Sequence, residues 1–382
     1  MTRLPHRLGQ LLLLPFVALA ASGCSDDPVG PPGDVEPADP AQLAPPPAGQ
    51  GFQIVTEEIE VAPGDEVQDC YFYRIRDLAA LGGVDPSEPF NLHRVQIGQR
   101  VGTHHMNVFR VKTIVPDGFE DFETHPVQKG LNGNGACFKS PLWADWPLIA
   151  NSQIGGSLDW TFPEGVANPL GPDEWIMVQT HYVNATTQKT PENGKVGINF
   201  WHMPASMVTS ELGTIFATKQ SIRICQSVPG AQTFQGGVGI DTDQDIRFIG
   251  ANAHFHSRGK QFDMFLWDGK YTSDPPADSR FYTSTAWDEP PMEHSPDLEV
   301  TMPKGGGVFY ECSFEWREPD PSVGCSGLNA IDKKKMMDAG KTEEEAEGAL
   351  DCCYRFGGQV EPNEHCNIFV YYYPKVDDLN FF

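Results

Sequence analysis

From Phe52 onward the chain is a succession of short β-branched and aromatic runs cut apart by Gly, Pro, Asn and Asp. They read "FQIVTEEIEV", "CYFYRI", "HHMNVFRVKTIV", "EWIMVQTHYVN" and "KVGINFWHM", then "IRFIGANAHFH", "QFDMFLWDG", "GVFYECSFEW" and "CNIFVYYYP". Short strands with turn signals between them predict an all-β chain. A length of 382 residues suits two tandem antiparallel β-sandwiches, jelly-roll-like, each large enough to bury its own core. The first is expected over 52–208 and the second over 209–382. The crossing is placed within 203–220, where "MPASMVTSELGTIFATKQ" gives no clear strand alternation. Only Ala330 to Leu350, "AIDKKKMMDAGKTEEEAEGAL", breaks the β pattern. Its Lys, Met, Glu and Ala are in helical proportions around an Asp338-Ala339-Gly340 interruption, so a helical insertion bracketed by Cys325 and Cys352/Cys353 is expected in the second sandwich.

The segments before Phe52 belong to neither sandwich. Arg3 and Arg7 precede the apolar run Leu11 to Ala21, followed by Ala21-Ser22-Gly23-Cys24. Residues 1–23 read as an export signal, with an apolar run too short to span a membrane. The small residues before Cys24 resemble a bacterial lipobox, so Cys24 is the expected lipidated N-terminus, anchored in a bacterial membrane; plain cleaved secretion is the alternative. Residues 24–51 are rich in Pro and carry Asp26, Asp27, Asp34, Glu36 and Asp39 without a Lys or Arg, the composition of an extended tether. Loss of the signal removes two arginines and takes the net charge from −25 to −27. That excess argues against nucleic acid or an anionic membrane surface as a partner. Apart from Cys24, eight cysteines remain, an even number in an exported chain, which allows up to four disulfides.

Eleven histidines are present, and six lie in or beside expected strands: His104, His105, His181, His254, His256 and His365. His254 and His256 in "ANAHFHSRG" are one residue apart, so on a strand they share a face and can chelate one ion. His181 closes a strand whose alternation puts Trp175, Met177, Gln179 and His181 on one face. His104 and His105 are adjacent, and neighbouring side chains of a regular strand point to opposite faces. They share a task only if the strand bulges or one ring reaches around. Together the doublet, the single histidine and the His-X-His predict two metal sites, one per sandwich.

The order of these elements resembles a known family. His-His-Met in a strand, then "THY", then "HFHSRGK", then "CNIFVYYY" is similar to the copper type II, ascorbate-dependent monooxygenases, which include peptidylglycine α-hydroxylating monooxygenase and dopamine β-monooxygenase. Further agreement at "CYFYRI", "IRICQ" and "VFYECSF" extends the resemblance from about Cys70 to Tyr373. It implies an exported enzyme with two copper ions, O2 and a reductant such as ascorbate, hydroxylating a C–H bond of a small molecule. His104, His105 and His181 match the ligands of the electron-storing copper. His254 and His256 match two ligands of the oxygen-activating copper, and the family's stored electron crosses an open gap between the domains.

The family's third ligand at the second copper is a methionine where this chain has His365. A thioether favours Cu(I), whereas three imidazoles also suit Cu(II) and Zn(II). His365 is then the third ligand of an altered site, or it is displaced while Met264 or Met292 supplies sulfur, or the site is structural or empty. The peptide-binding members hold a substrate carboxylate with an Arg and a Tyr at positions occupied here by Asn252 and Phe369. A small or neutral substrate is therefore expected, with Asn367 matching a polar pocket residue. Cys312 and Cys366 match a family disulfide. Cys70 with Cys137, and Cys225 with one of Cys325, Cys352 or Cys353, are the remaining candidate pairs. The competing class is a non-oxygenase metal protein: a copper-binding or electron-transfer lipoprotein, or a zinc hydrolase. The hydrolase needs a general base, for which Glu364 is the adjacent carboxylate, although an exposed position at the rim is its simpler role.

Overall fold

A computed structural model describes residues 39–100, 102–112, 128–131, 146–184, 192–270, 274–319, 330–348 and 351–381. The export signal, Cys24, Cys137, Cys325 and most of the tether lie outside the described residues. The fold is all-β, with two sandwiches that each enclose a hydrophobic core. In the first, a six-stranded sheet centred on Phe90–Gln99 and Val196–His202 covers a five-stranded one. The latter runs in the order Gln128–Leu131, Glu66–Arg74, Trp175–Val183, Thr103–Val111 and Leu148–Ser152. In the second, a six-stranded sheet runs Glu293–His294, Ile246–His254, Asn367–Tyr373, Gly213–Thr218 and Leu379–Phe381, with Val300–Met302 paired alongside. Smaller sheets built on Gly307–Glu315 and Cys353–Phe356 complete that half.

The central strands Thr103–Val111 and Trp175–Val183 are buried at eight consecutive positions. A strand that faced water on one side would alternate, so both faces of this sheet are covered. One face carries Met106, Val108, Ile176 and Val178 into the first core. The other packs against the second sandwich, where Phe109 meets Phe216 and Phe216 stacks on Phe369 with ring centroids 5.1 Å apart. Polar bonds tie the same seam: Asn151 Nδ2 donates to Asn252 Oδ1 at 3.0 Å, Tyr371 Oη to Asn151 Oδ1 at 2.5 Å, and Trp160 Nε1 to Ser295 Oγ at 3.1 Å. Gly250 is required there, because a Cβ on it would stand 2.7 Å from the Trp160 ring.

Three expectations are refined. The tether ends early: Ala41 is buried, Asp39 pairs with Arg100 at 2.6 Å, and the carbonyls of Leu43 and Ala44 accept from Gln53 and Asn199. The docked segment passes so close that a Cβ on Gly98 would lie 1.8 Å from the Pro40 carbonyl oxygen. Within 203–220, the apparently unpatterned "GTIFAT" is the strand Gly213–Thr218, buried at every position and therefore without alternation. Ser210–Glu211 still pairs with the first sandwich, so the chain crosses at Leu212. The helical insertion comprises Ala330–Asp338 and Glu343–Gly348, separated at the expected interruption.

Cys312 is bonded to Cys366 and Cys225 to Cys353; Cys70 and Cys352 are also disulfide-bonded. The Cys312–Cys366 bond spans 54 residues, and closing a loop of that size in the unfolded chain stabilises the fold by about 2–4 kcal/mol. A Cys312→Ala/Cys366→Ala variant is expected to lose that amount in denaturant unfolding, and an unchanged midpoint would contradict it.

Candidate metal centre and the adjoining cavity

The histidine doublet sits on a β-bulge. Thr103–Val111 pairs with Trp175–Val183 in constant register from Trp175↔Val111 to His181↔His105, and the next pair is Tyr182↔Thr103. His104 is the extra residue, and a bulge re-aims the side chains around it. Ring centroids of His104 and His105 are 5.3 Å apart, with His181 at 5.3 and 4.8 Å from them. A ligand nitrogen from each of the three lies within 4.8 Å of the other two.

The second cluster forms where Ile246–His254 ends. Phe255 turns into the second core, and His254 and His256 point the other way with centroids 5.1 Å apart. His365 precedes Asn367–Tyr373, the strand that pairs with Ile246–His254, and its ring lies 4.9 Å from His254 and 4.4 Å from His256. Of the two methionines weighed in its place, Met264 is fully buried in the second core and Met292 packs against the first. The expected triad is nonetheless altered. The nitrogens that come within 4.8 Å of one another are those of His254, His256 and His104, and the His365 ring packs against those of His254 and His256.

The two clusters adjoin, which corrects the expected open gap. His104 and His105 lie 5.1 and 4.8 Å from His254 by ring centroids, and His104 lies 5.7 Å from His256. The sheet-on-sheet seam closes the distance, and Trp287 covers His104 from the second half at 6.0 Å.

Three of the rings have their tautomers set by hydrogen bonds. His254 Nδ1–H donates to Gln153 Oε1 at 2.5 Å, His256 Nδ1–H to the Asn363 carbonyl at 3.1 Å, and His181 Nε2–H to Glu66 Oε1 at 2.6 Å. These oxygens only accept, so each bonded nitrogen carries the proton and the opposite nitrogen is the one left for a ligand. Those nitrogens, His254 Nε2, His256 Nε2 and His181 Nδ1, have no partner, and neither do His104 Nε2, His105 Nδ1 or His365 Nδ1. Six orphaned imidazole nitrogens in one buried cluster would be costly without a ligand. Burial, reinforced by the neighbouring imidazoles, holds His104, His105, His254, His256 and His365 well below the usual histidine range. They are neutral, as metal ligation requires.

Glu364 is neither an exposed rim residue nor a free base. Its side chain is fully buried, Oε2 accepts from His256 N and Oε1 from Arg258 N, each at 2.9 Å, and the Arg258 guanidinium lies 3.4 Å away. Burial pushes its carboxyl up to about 7 against the pull of Arg258. The terminal nitrogens of Arg258 donate to the carbonyls of Val360 and Glu361, and its guanidinium lies over the Tyr354 ring. This buried pair holds the His-X-His turn in place. Gln153, Glu66 and the Asn363 carbonyl were not legible as site residues, because Gln153 and Glu66 are more than a hundred residues from the rings they orient.

Beside the cluster lies a cavity of about 330 Å³ whose wall includes His105, His254 and His365. Phe109, Phe216, Phe356 and Phe369 form its apolar surface, and Asn107, Gln179, Gln68 and Asn367 its polar one. Asn367 Oδ1 has no hydrogen-bond partner. Among the described residues, Glu66, already bonded to His181, is its one charged residue, and no Lys or Arg lines it. Phe369 and Asn367 therefore both line the cavity. Asn252 does not: it is wholly buried in the inter-sandwich seam against Asn151 and serves closure.

No family model matches the chain, and no curated protein matches it. Among solved structures, the empty top component of cowpea mosaic virus is similar at a TM-score of 0.33 and 7% identity, over 91% of this chain and 98% of that one. The PBSX exported protein XepA is similar at a TM-score of 0.18 and 6% identity, over 72% and 98%. Neither likeness bears on the site.

Outer partners that fix a ligand's tautomer contribute about 10- to 100-fold in metal affinity. Gln153→Ala is expected to weaken metal binding at the His254/His256 cluster by that factor in a competitive chelator titration. An unchanged affinity would remove Gln153 from the site.

Proposed function

We propose that the protein is an exported two-copper monooxygenase that hydroxylates a C–H bond of a small, neutral organic substrate, using O2 and a one-electron reductant such as ascorbate. The observation that carries the reading is the set of six buried histidines, each with an unpartnered ring nitrogen. His104, His105 and His181 would hold one ion, and His254 and His256 the other, with His365 packed beside them and His104 within reach of both. Bound copper would store single electrons and activate O2, chemistry that no side chain of the chain supplies. The expected export signal and Cys24 give the protein an oxidising compartment and a lipid anchor, with soluble secretion as the alternative.

The chain's own residues prepare the site in three ways. Gln153, Asn363 and Glu66 set the tautomers, so that each ring offers a lone pair inward without reorganisation. The packed sheets exclude bulk water from the cluster, which protects a reactive site from side reactions. The four phenylalanines hold an apolar body beside His105 and His254, while the amides of Asn107, Gln179 and Asn367 can orient one polar group. A carboxylate in this cavity would find no cation to pair with and would lose its hydration, which disfavours peptides ending in a free acid.

The hydrolase alternative is weakened at its base, because both oxygens of Glu364 are held by backbone N–H groups. A copper electron-transfer protein would not need the cavity.

Metal analysis after competitive loading with copper and zinc, then desalting, is expected to give two coppers per chain. The loaded protein is expected to consume O2 in an ascorbate-dependent reaction matched by hydroxylated product, and His254→Ala is expected to abolish it. Zinc retention with hydrolytic turnover, or O2 uptake without product for every neutral substrate tried, would overturn the reading.

A further inference from the structure

We infer that the six histidines bind two copper ions as one exchange-coupled pair rather than as two separate mononuclear sites. This rests on the two-copper reading above and concerns how the two ions relate. The rings form one continuous cluster that crosses the seam between the sandwiches. His181 touches His104 and His105, both of these touch His254, His104 also touches His256, and His365 closes on His254 and His256. The longest of these centroid separations, 5.7 Å between His104 and His256, crosses the seam, and it exceeds the longest within a half, 5.3 Å, by little.

His104 is the pivot. A ring nitrogen of His104 lies within 4.8 Å of ligand nitrogens of His105 and His181, and a ring nitrogen of His104 lies within 4.8 Å of those of His254 and His256. The two ligand sets thus adjoin at His104, and ions bound by them would be neighbours. The donors are also alike: all six are imidazoles, so neither position is biased towards Cu(I) by sulfur, and both accept Cu(II). Two Cu(II) ions that share or bridge a ligand pair their unpaired electrons and vanish from the conventional EPR spectrum, whereas two isolated Cu(II) ions each contribute a full spin.

The closed arrangement is built in. Asn151, Asn252 and Tyr371 form a buried hydrogen-bonded group across the seam, and Gln153 reaches from the first sandwich to His254 of the second. Opening the seam would strand these groups, and an unsatisfied buried polar group costs about 1–3 kcal/mol.

The test is spin counting on the full mature chain loaded with Cu(II), without reductant, with copper measured on the same sample. The expected result is two coppers per chain with well under half the copper visible as spin, and recovery of the full count after acid release, which shows that the silent copper was Cu(II). His181→Ala is expected to leave one copper with a full spin. His104→Ala, at the pivot, is expected to weaken both copper equivalents in a chelator titration. Two coppers with two full spins would overturn the coupled pair while leaving a two-copper enzyme intact. One copper per chain in the unmutated protein would overturn both. Silent copper that acid does not restore as spin would mean reduction to Cu(I) and would also count against coupling.

Discussion

Every feature of the site depends on one packing event, the burial of the outer face of the five-stranded sheet of the first sandwich under the second sandwich. Without that seam His105, Asn107 and Gln179 would be ordinary polar residues on a solvated sheet face. With it, they line a closed space together with Phe216, Phe369 and His254. Burying polar residues so deeply requires partners, and the structure provides them as cross-seam bonds for Asn151, Asn252 and Tyr371 and as tautomer-setting bonds for three histidines. Each of the six clustered histidines keeps one ring nitrogen without a partner, and it is on these nitrogens that the proposed metal binding rests.

Within the first sandwich a second device matters almost as much. A regular strand cannot aim adjacent histidines at one point, and the one-residue shift at His104 resolves the conflict. In the second sandwich the same end is reached differently. The His-X-His spacing places two rings on one side, and the buried Glu364 carboxylate holds the turn through the backbone of His256 and Arg258. Both halves therefore deliver neutral imidazoles from rigid strand ends, which suits a centre whose ligands must not reorganise.

Much of the fold was legible. Strands with turn punctuation could be read as such from "CYFYRI" to "CNIFVYYYP", and the insertion at Ala330 stood out because its composition changed. What misled was uniform burial: "GTIFAT" looked unpatterned because a strand covered on both faces has no polar phase to reveal its period. The docked end of the tether was hidden for a related reason. It binds through backbone carbonyls and the near approach of Gly98, which composition does not report. The six histidines were all visible as candidates, since doublets and His-X-His spacings are local. Gln153 and Glu66 were not, because nothing in a Gln or Glu far along the chain marks it as the partner of a particular ring.

Taken alone, the sequence determined the all-β class, the two cores, the even set of cysteines for disulfides and the identity of the candidate ligands, because each follows from local period, spacing or count. Only the tertiary structure decided that the ligands form one cluster, that His104 faces both halves, that Asn252 serves the seam instead of the cavity and that Glu364 is buried and committed to the backbone. The physical reason is the range of the interactions. Strand pattern and chelating spacing act over a few residues, whereas the contacts that close the site join groups a hundred or more positions apart, and their geometry exists only once two sheet faces have packed.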